Sequence, residues 1–276
     1  MESDALLKLS ALSHPQRLAL FRLLVRRFPD EVPAGEIAAA LGYKTNTTSV
    51  YLGTLLNASL IRKRRKATSL LYQADLESTG DLLHYLFSDC CRDRIDLPHM
   101  RVGYEQCNRP ASVLFACTGN SARSICAEVL AREILPPAMA VHSAGTDPAE
   151  APNPLMLEVL REKGHEINGV TCKDITLYQQ DEAPGMMAVI TLCDRAANED
   201  CPAWSGRPLN THWGLEDPAE VQGSRAHRRA AFEHTYQTLQ DKISRFAKLD
   251  LQSLPRPALQ AALDQIGCAE PMKVTL

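Results

Sequence analysis

The chain has 276 residues, 45% apolar and 23% charged, with a net charge of −3. That is the make-up of an ordinary soluble protein long enough for two domains, each with its own core. No apolar stretch approaches membrane-spanning length, and the start Met1-Glu2-Ser3-Asp4 lacks a signal-peptide pattern, so no membrane role is expected. Nine cysteines, an odd number, fit no disulfide framework at this length and suit reactive thiols in a reducing cytoplasm.

In chain order, residues 1–88 read as mostly helical. Leu6, Leu7, Leu9 and Leu12 mark a first amphipathic helix, and Ser13-His14-Pro15 starts a second that carries Leu18, Leu20, Phe21, Leu23, Leu24 and Val25. Pro33 to Leu41 is a short third helix ended by Gly42. Thr45 or Asn46 can cap a fourth, running to about Asn57. A helix, a glycine turn and a helix that begins with small polar residues is a helix-turn-helix pattern. Ile61 to Tyr72 then fits a β-hairpin with a basic tip, and Asp81 to Phe87 a final helix.

The run Arg62, Lys63, Arg64, Arg65 and Lys66 follows the second helix of that pattern directly, which suits a wing contacting DNA phosphates. Thr45, Asn46, Thr47, Thr48, Ser49 and Tyr51 are the side chains expected to face bases and phosphates. In its order of Leu-Ser-His-Pro-Gln-Arg-Leu, Pro-Ala-Gly-Glu-Ile-Ala, helix and basic hairpin, this part resembles the ArsR family of winged-helix repressors over roughly residues 4–97. The resemblance implies a homodimer, formed through this domain, that binds a double-stranded operator and releases it when a thiophilic metalloid binds. Some relatives end the domain in Cys-Cys-x5-Cys. Cys90 and Cys91 match the first two positions, the third is Leu97, and Cys107 is a substitute donor for arsenite. The alternative, that Cys90 and Cys91 only end a helix, stays open.

Residues 98–110 lack periodicity and read as a linker. Val113 to Ala116 reads as a buried strand, and Ile125 to Ala131 as a helix. Between them lies Cys117-Thr118-Gly119-Asn120-Ser121-Ala122-Arg123-Ser124. A strand, a tight loop and a helix start make a cradle whose N–H groups and dipole favour an anion. Gly119 and Asn120 tolerate unusual backbone angles. The cradle's field is expected to lower the pKa of Cys117 and keep it a nucleophilic thiolate. Arg123 can hold two oxygens of a tetrahedral anion, and Ser124 can donate to the sulfur. These residues resemble the low-molecular-weight tyrosine phosphatase superfamily, and within it the thioredoxin-coupled arsenate reductases.

Val189 to Cys193 reads as a second buried strand that delivers a thiol to the loop edge of an α/β sheet. Asp194 to Asp200 reads as a polar, flexible run closed by Cys201-Pro202, and no Cys-x2-Cys or paired histidine accompanies these thiols. Thr211-His-Trp-Gly-Leu-Glu-Asp217-Pro218-Ala219 resembles a stretch that the reductases carry soon after their redox cysteines. His212 is expected near the site. The resemblance covers roughly residues 111–249 and implies a concrete route. Cys117 attacks arsenate, Asp217 protonates the departing oxygen, Cys193 attacks the Cys117 sulfur and arsenite leaves. Cys201 then takes over the disulfide, and thioredoxin reduces the Cys193–Cys201 pair.

The chain departs from that pattern in places. Ala122 stands where relatives often have another cysteine. Asn120, Glu128 and Ser143 match residues that hold a cation in some relatives, but Lys173 falls near a further acidic ligand and argues against bound potassium. No tightly bound cofactor is expected. Aromatic residues that grip phosphotyrosine are missing after Asp217 and Pro218.

The expected architecture is therefore two domains. Residues 1–97 form a mainly α winged helix-turn-helix and 98–110 a linker. Residues 111–250 form an α/β domain with a parallel sheet of the low-molecular-weight phosphatase type, and 251–276 a tail. The two halves together imply an arsenic-responsive repressor joined to an arsenate reductase. Two alternatives remain: a regulator whose second domain only senses an oxyanion, or a phosphatase with a DNA-binding module.

Overall fold

Residues 2–92, 112–180, 183–199, 208–251 and 253–269 are described by a computed structural model, and the chain divides into two units, Met1–Glu105 and Gln106–Leu276. The first unit runs α1 (Glu2–Leu12), α2 (Pro15–Arg26), β1 (Val32–Pro33), α3 (Ala34–Leu41), α4 (Thr45–Asn57), β2 (Ile61–Lys66), β3 (Ser69–Ala74) and α5 (Leu76–His84). A π-helical turn, Tyr85–Cys90, follows. Its three strands form an antiparallel sheet in the order β1-β3-β2. Leu20, Leu23, Leu24, Ile37, Leu52, Leu55 and Leu60 make its core.

Several local expectations change. In α1 the inward face is Ala5, Lys8 and Ala11, while Leu6, Leu7 and Leu9 are exposed. Small residues let the helix approach its neighbours closely, and the Lys8 ammonium donates to Ser78 O at 3.0 Å. The N-cap of α4 is Lys44 rather than Thr45 or Asn46, which both lie in the first turn. α5 starts five residues earlier than Asp81, because the Asp75 side chain caps it by accepting from Ser78 N–H at 3.0 Å.

The second unit runs β4 (Ser112–Cys117), α6 (Arg123–Ile134), β5 (Ala140–Gly145), α7 (Pro154–Glu162), a 3-10 turn (Ile175–Tyr178), β6 (Ala188–Thr191), α8 (Asp194–Asn198), β7 (Leu209–His212), α9 (Arg225–Phe246) and α10 (Arg256–Cys268). The four strands are all parallel in the order β5-β4-β6-β7. Alternation along β4 sends Val113, Phe115 and Cys117 to one face with the large core of Trp213, Phe232 and Phe246. Leu114 and Ala116 go to the other face with Ala144, Val189 and Ile175. Cys117 thus ends a central strand, at the edge where parallel sheets place their sites.

Two segments read as loops or tail are ordered. Asp194 to Asn198, expected as a flexible run, is helix α8 with Cys193 as its N-cap. The segment after 251 carries α10, whose Leu259, Leu263 and Ile266 join the domain core. α10 is also pinned by Trp213 Nε1 to Leu263 O at 3.0 Å and Thr211 Oγ1 to Asp264 at 2.7 Å. Gly267 lies so close to β7 that a Cβ would fall 2.5 Å from His212 O. Among the described residues no helix is long and apolar enough to cross a membrane.

Candidate active site

The loop from Cys117 to Ser124 is held by the segment after β5. Thr146 N–H donates to Cys117 O at 3.1 Å, Asp147 N–H to Thr118 O at 3.0 Å, Ala149 N–H to Gly119 O at 2.8 Å and Asn153 N–H to Ser121 O at 2.8 Å. With its carbonyls engaged outward, the loop turns N–H groups inward. Asn120 N–H points at Cys117 Sγ, 3.2 Å away. This is the anion cradle in physical terms: donors inward, acceptors satisfied elsewhere. Gly145 makes the close approach possible, since a Cβ there would sit 2.3 Å from Thr118 O. Neither Gly145 nor the 146–153 segment carried a recognisable sequence signal.

Asn120 has φ 43° and is fully buried. Its Nδ2 donates to Ser124 Oγ and to Ser143 Oγ, each at 2.8 Å, and its Oδ1 accepts from Lys173 N–H at 2.7 Å. Ser124 Oγ lies 2.9 Å from Cys117 Sγ.

Cys117 departs from expectation. Burial pushes its thiol up; hydrogen bonding from Ser124 opposes this, the nearby Cys193 adds to it, and the Arg123 charge opposes it only weakly. The reason lies in where Arg123 points. Its guanidinium donates to Leu215 O at 2.9 Å and pairs with the Asp217 carboxylate, so its fork is directed along the 215–217 segment. Arg123 and Asp217, 94 positions apart, are thereby brought together at the rim of the loop. Asp217 is also tied down by Ala219 N–H at 3.0 Å.

Cys193 is buried beside the same loop, its Sγ 3.3 Å from Thr118 Oγ1. As N-cap it also accepts from Ala196 N–H at 3.4 Å. Cys201 and Cys107 lie outside the described residues. His212 does not line the loop. It is buried between Thr191 Oγ1 (2.8 Å) and Asp194 Oδ1 (3.1 Å), where it anchors the start of α8. Cys126 is core on α6, and burial pushes its thiol up; Cys172 lies in a loop.

The residues that match a cation site do come together, with Glu128 at their centre. Glu128, 1% exposed, accepts from Ser143 Oγ, from the Arg132 guanidinium and from the Lys173 ammonium, the last at 2.9 Å. Both carboxylate oxygens are engaged, and Asn120 Oδ1 is taken by Lys173 N–H. This donor set does not fit a bound potassium ion.

In the first unit the expected DNA-facing residues divide. Thr45, Asn46 and Ser49 are exposed, and Thr47 is half-buried. Thr48 is fully buried, because it shares the inward helical face with Leu52 and Leu55 and bonds Lys44 O at 3.2 Å; it cannot reach a base. Tyr51 is half-buried and held by Gln16. The basic run lies along β2 rather than at the tip of the hairpin, since Lys66 pairs with Ser69 across the turn. Arg62 is bound by Asp75 and Glu77, and Arg64 by Glu31 at 2.7 Å. Strand alternation puts Lys63 and Arg65 on the opposite face, with no ion pair among the described residues. Cys90 is exposed at the end of the π-helical turn, and Cys91 follows, half-buried.

Residues 112–257 match the family described as low molecular weight phosphotyrosine protein phosphatase. The same half of the chain is 35% identical to a protein named arsenate reductase from Bacillus licheniformis, over 50% of this chain and 95% of that protein. It is 33% identical to one of the same name from Bacillus subtilis, over 49% and 94%. For one from Oceanobacillus iheyensis the figures are 35%, 49% and 94%.

Proposed function

The chain belongs to the low molecular weight phosphotyrosine protein phosphatase family, and from that premise we propose that its second unit reduces arsenate to arsenite with electrons from thioredoxin. The observation that carries the reading is Cys193, buried beside the nucleophile loop with its sulfur 3.3 Å from Thr118 Oγ1. A phosphatase needs Cys117, Arg123 and Asp217; a second thiol at the same cradle is what a reductase needs in addition.

Arsenate, shaped and charged like phosphate, enters the cradle, and Arg123 turns from Asp217 to two of its oxygens. Asp217, released, is placed to relay the proton given up by the Cys117 thiol to a departing oxygen, which leaves as water as the sulfur bonds to arsenic. Cys193 then attacks the Cys117 sulfur. The sulfur–arsenic bonding pair passes to arsenic, which falls from the pentavalent to the trivalent state and leaves as arsenite. A Cys117–Cys193 disulfide remains. Cys201 takes over that bond by exchange, and a thioredoxin dithiol supplies the two electrons that restore both thiols.

The first unit is read as an arsenic-responsive winged-helix repressor, dimeric on its operator. Its support is the order α3, Gly42 turn, α4 and hairpin. Lys63, Arg65 and the exposed start of α4 supply the DNA contacts, and Cys90 and Cys91 with a third thiol bind arsenite.

The test is arsenate-dependent NADPH oxidation by the full chain with thioredoxin and thioredoxin reductase. Cys193→Ser should abolish turnover while p-nitrophenyl phosphate hydrolysis survives. Normal arsenate turnover by Cys193→Ser would remove the relay from the reading.

A further inference from the structure

Asn120 imposes a direction on the hydrogen bonds that reach the nucleophile. Its Oδ1 accepts from Lys173 N–H, so the amide nitrogen must donate to both Ser124 Oγ and Ser143 Oγ. Each hydroxyl then keeps its own hydrogen available for its remaining neighbour. Ser143 donates to the Glu128 carboxylate, which can only accept while ionised. Ser124 has the Cys117 sulfur 2.9 Å away. The network thus leaves Ser124 free to donate to the sulfur, and its far end is fixed by Glu128, 1% exposed, with both carboxylate oxygens engaged. A buried carboxylate is costly without a cation paired to it. The Lys173 ammonium, 2.9 Å away and only 20% exposed at its side chain, is that cation from outside the helix. Arg132, one turn along α6, is the second.

We propose that Lys173 is a positioning residue that serves as a built-in monovalent cation for the nucleophile loop. Through its N–H it orients Asn120, and through its ammonium it holds the Glu128 carboxylate as the acceptor of Ser143, so that Ser124 is left to donate to the Cys117 sulfur as it reacts. Lys173 thereby takes the place of a dissociable metal ion, and the protein's chemistry is independent of potassium. Of the other titratable groups facing Glu128, His142 on β5 is pushed down by burial and Tyr178 is pushed up by it, so neither carries charge near neutral pH. The inference rests on Cys117 being the reacting thiol, and its readout needs no arsenate.

The experiment is carboxamidomethylation of Cys117 by iodoacetamide in the reduced full chain, followed by peptide mass spectrometry in potassium chloride and in tetramethylammonium chloride. Wild type should label equally fast in both salts. Lys173→Met should label about tenfold more slowly in tetramethylammonium, the scale typical of a lost supporting residue around a metal or active site. Potassium should restore most of that rate by entering beside Glu128, and Lys173→Arg should stay near wild type. Wild-type labelling in Lys173→Met, or potassium stimulation of the wild type, would overturn the proposal. Circular dichroism establishes that the variant is folded. If it is not, the double variant Glu128→Gln/Lys173→Met removes both charges together. It should label slowly with no response to potassium, and labelling at the wild-type rate would again overturn the proposal. A wild type that labels as expected but shows no arsenate turnover would sink the reductase reading alone.

Discussion

Replacing Asn120 by alanine tests the cradle most directly, because the side chain is fully buried and all its polar atoms are engaged. The change deletes two donated bonds of 2.8 Å and one accepted bond of 2.7 Å. At about 1 kcal/mol each, these are worth roughly 3 kcal/mol. The φ of 43° adds roughly 1 kcal/mol more, since alanine lacks the tolerance of asparagine for left-handed backbone. The expected total is about 4 kcal/mol, a large share of a domain's stability. Both tryptophans, Trp204 and Trp213, belong to the second unit, so urea unfolding followed by tryptophan fluorescence reads that unit alone. Asn120→Gly should be less damaging by roughly 1 kcal/mol, because glycine accepts positive φ. A loss under about 1 kcal/mol in Asn120→Ala would show that the loop does not depend on these bonds.

Cys117→Ser and Arg123→Ala should each eliminate arsenate reduction and p-nitrophenyl phosphate hydrolysis, and sulfate should compete with arsenate in the wild type; activity in Cys117→Ser would place the nucleophile elsewhere. Burial raises the Cys117 and Cys126 thiols, so the folded state binds their protons more tightly than the unfolded state. That contribution is present below the ordinary thiol range and is lost as pH rises through it, so the urea midpoint should fall from roughly pH 8.5 upward. The decline should be shallower in Cys126→Ala, and an equal slope would contradict the assignment. In gel-shift titrations on an inverted repeat, Lys63→Ala/Arg65→Ala should weaken binding to all sequences and reduce the salt slope by about 1.8, for two lost phosphate contacts. Arg64→Ala, whose side chain is already committed to Glu31, should leave the slope nearly unchanged. A reversed pattern would put the ion-paired face of β2 on the DNA.

The sequence alone determined what depends on neighbours along the chain. Val113 to Ser124 holds a buried strand, a loop with Gly119 and Asn120, and a helix start, so the cradle, its thiol and its guanidinium followed from one short run. The same held for α3, Gly42 and α4, where periodicity and a positive-φ glycine act over a few residues. Tertiary structure decided what depends on distant partners. Whether a thiol is stabilised as an anion depends on how deeply it is buried and where its arginine points. Arg123 turns to Asp217, 94 positions away, and burial then outweighs the loop's field at Cys117. Likewise, five consecutive basic residues look equivalent on paper. Strand alternation separates Arg62 and Arg64, which meet Asp75 and Glu31, from Lys63 and Arg65. Residues 251–276 read as a tail, because the place of α10 against β7 depended on Gly267 leaving room at His212 O. Lys173 stood out in the sequence only as a misfit to a cation site; folding sets its ammonium against Glu128, 45 positions earlier, at 2.9 Å.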